Sequence, residues 1–182
     1  MKHPHSRIAP FRFSWPDPPL HIVLVNPEIP PNTGNVARLC AATGTRLHLV
    51  EPLGFSLDDR YLRRAGLDYW DAVPLHVHPD WPSCLAALPP PPSRRYLFTT
   101  ASPRLWTDAA YRPGDVLVFG CETKGLPDSL LAAHPDDLRG IPMRTDAVRS
   151  LNLSAAVAVA AYEALRQINL AATPTPQPPP VP

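Results

Sequence analysis

The chain has 182 residues, with 17 Lys+Arg against 16 Asp+Glu and a formal net charge of +1, so no whole-molecule field draws in nucleic acid and any RNA contact must come from local clusters of Arg and Lys. Of its 27 prolines, five fall in residues 1–19, four form the run Pro89 to Pro92 and six fall in the last nine residues, which marks two tails and a loop and leaves a centre long enough for one core. No run of 18 apolar residues occurs, no secretory leader opens the chain, and Cys40, Cys84 and Cys121 form no Cys-x-x-Cys pair, which argues against a membrane span, a disulfide framework and a structural zinc site and for a reducing cytoplasm.

Leu20 to Val25 is a short β-branched run ended by Asn26-Pro27, the pattern of a buried strand. The next segment is read as a loop and then a helix, with Asn32 and Thr33 as candidate N-caps, Val36, Leu39, Cys40 and Thr43 on one face and Gly44 as terminator. Arg46 to Val50 reads as a second strand. Ser56 followed by Asp59 resembles a capping box and opens a helix carrying Arg60, Arg63 and Arg64 on one side, stopping at Gly66.

Strand-like runs recur at Ala72 to Val77, Arg95 to Thr99, Asp115 to Gly120 and Leu138 to Pro142, with helical stretches at about Trp81 to Leu88 and Pro127 to His134. Such alternation implies an α/β domain with a mainly parallel sheet. In the last helix Leu153, Ala156, Val157, Ala160, Ala161, Ala164, Leu165 and Ile168 follow the i, i+3, i+4, i+7 pattern. Ala155, Val159 and Tyr162 form a second apolar strip on it, more than one buried side needs, which points to a subunit contact.

Three segments carry candidate chemistry. Asn26 to Asn35, followed by Arg38, runs from a strand end into a helix start, where open α/β sheets bind ligands. Phe119-Gly120-Cys121-Glu122-Thr123-Lys124-Gly125-Leu126-Pro127 is again strand, loop and helix, with two glycines bracketing a carboxylate and an ammonium. It is neither Gly-x-Gly-x-x-Gly nor a Walker loop, since Leu126 stands where the Lys should be, so a P-loop ATPase and an NAD-type enzyme lose ground. The third is Ile141-Pro142-Met143, then residues 144–148, then Arg149-Ser150-Leu151-Asn152-Leu153-Ser154 entering the last helix. No Gly-x-Ser-x-Gly elbow surrounds its serines, and the seven histidines are read as mostly in tails or loops, without a triad pattern.

In this order and at strand ends, the three segments resemble the SpoU class of the SPOUT methyltransferases over about Leu20 to Asn169. The motifs are Asn32-Thr33-Gly34-Asn35 with Arg38, Gly120 to Gly125, and Ser150 to Ser154. The wording between them, Glu51-Pro52-Leu53-Gly54-Phe55 and Leu62-Arg63-Arg64-Ala65-Gly66-Leu67-Asp68-Tyr69-Trp70, is similar to the compact members that act on the tRNA wobble position. The link from Arg144 to Val148 is one residue longer than the usual one, and its contacts are left open.

The resemblance implies a SPOUT-type α/β fold, a mainly parallel sheet with helices on both faces and a C-terminal trefoil knot. The domain would span residues 20–170 between Pro-rich tails at 1–19 and 171–182. It implies methyl transfer from S-adenosylmethionine to a ribose 2′-hydroxyl, at a cytidine or modified uridine of position 34, without a metal. It also implies a homodimer through the C-terminal helix and tRNA held by its anticodon stem-loop. By the same resemblance Arg38, Asn32, Glu122, Ser150 and Asn152 serve catalysis, while Phe98, Gly120, Ile141, Ser150 and Leu151 bind the donor. Arg60, Arg63, Arg64, Lys124 and Arg149 are the candidates for RNA phosphate contacts. The alternatives are the same reaction on another tRNA or ribosomal nucleotide, or an RNA-binding module of this fold that has lost catalysis.

Overall fold

The computed structural model describes residues 13–57, 73–91, 93–144 and 146–172. Arg60, Arg63 and Arg64, and the helix expected to carry them, lie outside the described residues.

Strand β1 (His21–Val25) is buried at every position, which is what its unbroken apolar run requires of a central parallel strand covered on both sides. Helix α1 (Pro30–Thr43) follows, then β2 (Arg46–Val50), with Gly44 turning the chain between them at φ 69°. This left-handed conformation suits glycine. The chain continues through β3 (Leu75–His78), α2 (Trp81–Ala87), β4 (Arg95–Phe98), β5 (Val116–Phe119), α3 (Asp128–Ala133), β6 (Leu138–Arg139) and α4 (Leu153–Ala172).

The six strands lie in the order β3-β2-β1-β5-β4-β6, and every pair is parallel. Alternate residues divide the core in two. Ile22, Leu24, Leu47 and Leu49 pack under α1 and α4 through Val36, Cys40, Val157, Ala161 and Leu165. Val23, Val25, Val50, Leu97 and Val118 face α2 and α3 through Cys84, Leu88 and Leu130. Helices therefore cover both faces, as the alternating pattern implies. Three buried alanines of α4, Ala160, Ala161 and Ala164, present short side chains to the neighbouring layer. Val159 and Tyr162 remain 42% and 54% exposed, so the second apolar strip is uncovered in the single chain.

Several boundaries differ from the sequence expectation. Helix α1 starts at Pro30, not at Asn32 or Thr33, and β6 is only two residues long. Four of the seven histidines, His21, His48, His76 and His78, stand on strands rather than in loops. Phe13 of the N-terminal segment packs against the core, and the Ser14 N–H donates to Asn169 Oδ1 at 2.9 Å, so that part of the tail lies on the domain instead of extending into solvent. Among the described residues no helix is long and apolar enough to cross a membrane.

Candidate active site

The order of strands reverses at β1 and β5, which are neighbours although residues 26–115 separate them. The loops leaving their C-terminal ends therefore diverge around a crevice, the usual ligand position in an open parallel sheet. Asn26 ends β1 with φ 52°, a conformation Asn tolerates better than most residues. Its main-chain N–H donates to Val50 O at 2.9 Å, and Gly54 N–H donates to Pro27 O at 2.9 Å. Gly54 is needed there, because a Cβ would stand 2.7 Å from Glu28 Cα.

The first loop then enters α1 on Pro30 and Pro31, where a missing N–H costs nothing. Asn32 is consequently inside the first turn. Its side chain caps nothing; it is 5% exposed and donates through Nδ2 to Glu122 Oε1 at 2.9 Å.

Glu122 comes from the second loop. Cys121 and Gly125 exchange main-chain hydrogen bonds of 3.2 and 3.0 Å, folding the intervening three residues into a tight projection, with Gly125 at φ 73°. Gly120 lies against the base of this turn, where a Cβ would be 1.9 Å from Gly125 C and 2.1 Å from Leu126 N. The projecting Glu122 carboxylate accepts from the Glu28 N–H at 2.8 Å and the Ile29 N–H at 3.2 Å as well as from Asn32. Glu28 reciprocates, accepting from the Thr123 N–H at 3.1 Å and from Thr123 Oγ1 at 2.8 Å.

The third segment joins through Asn152, whose Nδ2 donates to Asn32 Oδ1 at 2.9 Å. Its Oδ1 accepts from the Ser154 N–H at 2.9 Å, Ser154 Oγ at 2.8 Å and the Ala155 N–H at 3.3 Å, capping α4. The polarity of this relay is forced. A carboxylate only accepts, so Asn32 must turn its amide nitrogen to Glu122, which leaves its oxygen for the Asn152 amide and the Asn152 oxygen for the helix N–H groups.

Beside the relay opens a cavity of about 780 Å³. Phe98 and Phe119, stacked with centroids 4.5 Å apart, contribute to its wall. Gly120, Ile141, Leu151, Ser150, Lys124 and Arg149 also line it, as do Asn32, Glu122 and Asn152. Phe98, Gly120, Ile141, Ser150 and Leu151, expected from the third and second motifs and the strand before them, thus come together, and Lys124 and Arg149 stand exposed at the same place. Arg38 is exposed on α1 and is not among the lining residues. Sequence reasoning missed Glu28 and Thr123. The available signal was a carboxylate in a proline-rich loop at a strand end.

Comparison with known proteins identifies the family. The profile of the SpoU rRNA Methylase family matches residues 19–162. The tRNA (cytidine(34)-2'-O)-methyltransferase of Burkholderia ambifaria is 55% identical over 148 residues, 81% of this chain and 94% of that protein. The protein of the same name from Escherichia coli strain K12 is 51% identical over 150 residues, 82% and 94% of the two chains. A solved structure described as giving insights into the 2-OH methylation of C/U34 on tRNA superposes with a TM-score of 0.77 at 49% identity, covering 85% of this chain and 97% of its own. A profile matched over most of the chain, relatives above half identity and the three motif loops meeting at one crevice lead to the same place: this chain belongs to the SpoU rRNA methylase family.

Proposed function

We propose that the protein methylates the ribose 2′-hydroxyl of the wobble nucleotide, position 34, of tRNA, a cytidine or a modified uridine, using S-adenosylmethionine. The observation that carries this reading is the Glu122 to Asn32 to Asn152 relay, which joins all three motif loops at the wall of one cavity. The relatives' names supply the nucleotide.

The residues present fit the donor. A volume of about 780 Å³ lies within the range of pockets for ligands of that size, roughly 300 to 1,000 Å³. Phe98, Ile141 and Leu151 offer apolar surface for a purine, beside the main chain of the Gly120 to Gly125 turn. When bound, S-adenosylmethionine supplies an electrophilic methyl on a positively charged sulfur, which leaves as a neutral thioether and needs no metal.

The chain's own task is to position a weakly nucleophilic hydroxyl and to stabilise the negative charge that grows as its proton departs to solvent. Arg38 takes the second part. A guanidinium is a planar fork of donors with no acceptor, so Arg38 acts as an electrostatic stabiliser and a phosphate clamp and not as a base. Glu122, Asn32 and Asn152 keep the loops in register, and Ser150 offers the ribose a hydroxyl. Lys124 and Arg149, with Arg60, Arg63 and Arg64, take the phosphates of the anticodon stem-loop.

The active form is a homodimer through α4, supported by the exposed Val159 and Tyr162, and it works in the cytoplasm. The C-terminal part is threaded into a trefoil knot, a reading supported by membership of the family.

Methyl-labelled S-adenosylmethionine incubated with unmodified total tRNA, followed by nuclease digestion and mass mapping, tests the reading. A 2′-O-methylated pyrimidine at position 34 is expected. Label in another nucleotide would move the site, and donor binding without label would mark a lapsed enzyme.

A further inference from the structure

Away from the cavity, parallel register brings together residues that no short motif connects. His48 on β2 stands beside His76 on β3, and their rings stack with centroids 4.9 Å apart. His48 Nε2 lies 2.9 Å from His21 Nδ1, and His48 Nδ1 lies 3.0 Å from His78 Nε2. Cys84, from α2, is fully buried beside them, and His48 and His78 are 2% and 8% exposed. One ligand atom from each of His48, His78 and Cys84 lies within 4.8 Å of the others. None of these side chains lines the cavity.

We propose that His48, His78 and Cys84 form a binding site for a borderline-soft divalent cation, with Zn²⁺ as the type ligand, cross-linking β2, β3 and α2 at the outer part of the sheet. Two imidazoles and a thiolate select zinc, cobalt, nickel or copper over magnesium and calcium, which take oxygen ligands. Tetrahedral zinc, with bonds of about 2.0 to 2.3 Å, needs N···N and N···S separations of about 3.3 and 3.6 Å. The 3.0 Å pair is already near this, and the third ligand atom lies within 4.8 Å of the other two, so binding draws the sulfur inward.

His48 offers Nδ1, because its Nε2 faces His21. On coordination His48 carries its proton on Nε2 and donates to His21 Nδ1, so His21 holds the ligand's tautomer and ring orientation from the outer shell. The Cys84 S–H bond breaks, the sulfur pair forms the metal bond and the proton leaves to solvent. Burial holds His48 and His21 neutral by lowering their pKa values to about 3 and about 4, which is the ligating state. It pushes the Cys84 thiol up to about 12, and a bound cation reverses that by stabilising the thiolate.

The competing reading is a hydrogen-bonded imidazole chain with an inert buried thiol. Chelator-stripped full-length protein titrated with Co²⁺ separates the two. The expected result is uptake of one equivalent, with a near-ultraviolet thiolate-to-cobalt charge-transfer band and the strong visible bands of an ion made four-coordinate by one water. Cys84→Ser removes the charge-transfer band, His78→Gln weakens uptake at least tenfold, and His76→Gln, which changes only a stacked neighbour, leaves both unchanged. Zn²⁺ raises the unfolding temperature of the unsubstituted protein and not that of His78→Gln, which decides the matter if Cys84→Ser does not fold. Absence of the band in the unsubstituted protein, its survival in Cys84→Ser, or equal uptake by His78→Gln overturns the proposal.

Discussion

Glu28 and Glu122 hold each other's loops: the carboxylate of Glu122 accepts the main-chain N–H of Glu28 at 2.8 Å, and the carboxylate of Glu28 accepts the main-chain N–H of Thr123 at 3.1 Å. Each acid thus replaces water at the other loop's orphan donors, and the two ends of β1 and β5 are locked at a fixed separation.

Glu122→Gln places an amide nitrogen or oxygen where two main-chain N–H groups and the Asn32 amide all donate. At least one donor is then left facing a donor, a loss of about 2 kcal/mol for a bond to a charged acceptor. Methyl transfer to tRNA is expected to fall at least tenfold in kcat/KM, with a lowered denaturant midpoint. Normal turnover would show that the interlock of loops is dispensable.

Asn152 serves the relay and the helix cap with different atoms, so two substitutions divide its roles. Asn152→Asp keeps the capping oxygen, and Asp caps as well as Asn, but it presents an acceptor to Asn32 Oδ1. Activity should drop while the unfolding temperature stays near that of the unsubstituted protein. Asn152→Ala loses the cap as well, about 1 kcal/mol more. Undiminished activity in both variants, with only stability changed, would make Asn152 a cap and nothing else.

Gly120→Ala drives a methyl into Gly125 C and Leu126 N, both main-chain atoms, at 1.9 and 2.1 Å. Because no flexible side chain can yield, the turn carrying Glu122 has to open. We expect a loss of roughly 3 kcal/mol, at the upper end of overpacking costs, and no detectable donor binding by calorimetry.

Folding of the histidine ladder depends on acidity. His48 and His21 are lowered from 6.5 to about 3 and about 4, first by burial and then by neighbouring charge, which includes Arg46 for both; His78 is lowered too. In each case the unfolded chain takes up the proton first. The associated stability is therefore complete above about pH 6.5, falls as the pH drops from there, and is gone once it has passed below about 3. Chemical denaturation measured from pH 7 to pH 4 should show this decline, and His48→Gln should flatten it. An unchanged slope in that variant would place the acid sensitivity elsewhere.

Much of the scaffold was legible because it rests on local patterns. The span of β2, the left-handed Gly44 and the start of α4 at Leu153 follow from strand composition, glycine freedom and period. Asn32 was misread as a cap because Asn-Thr is a strong capping pair, whereas two prolines upstream start the helix earlier and turn Asn32 inward. That inward turn is what makes it part of the site. Glu28 escaped notice because its partner is 95 residues away. The histidines escaped for the same reason, since 27 and 30 residues separate the hydrogen-bonded pairs and only the register of parallel strands aligns them.

A ribosome delivers this chain from its N-terminus, so β1, α1 and Asn32 are synthesised long before Asn152. Most of the sheet can form while the relay still lacks its last member, because the final link waits for the helix that begins at Leu153. A nascent or prematurely ended product therefore carries the recognisable strands and part of the cavity wall without a closed site. Competence arrives late in biosynthesis, as the C-terminal segment docks, and a stalled chain does not modify the tRNAs around it.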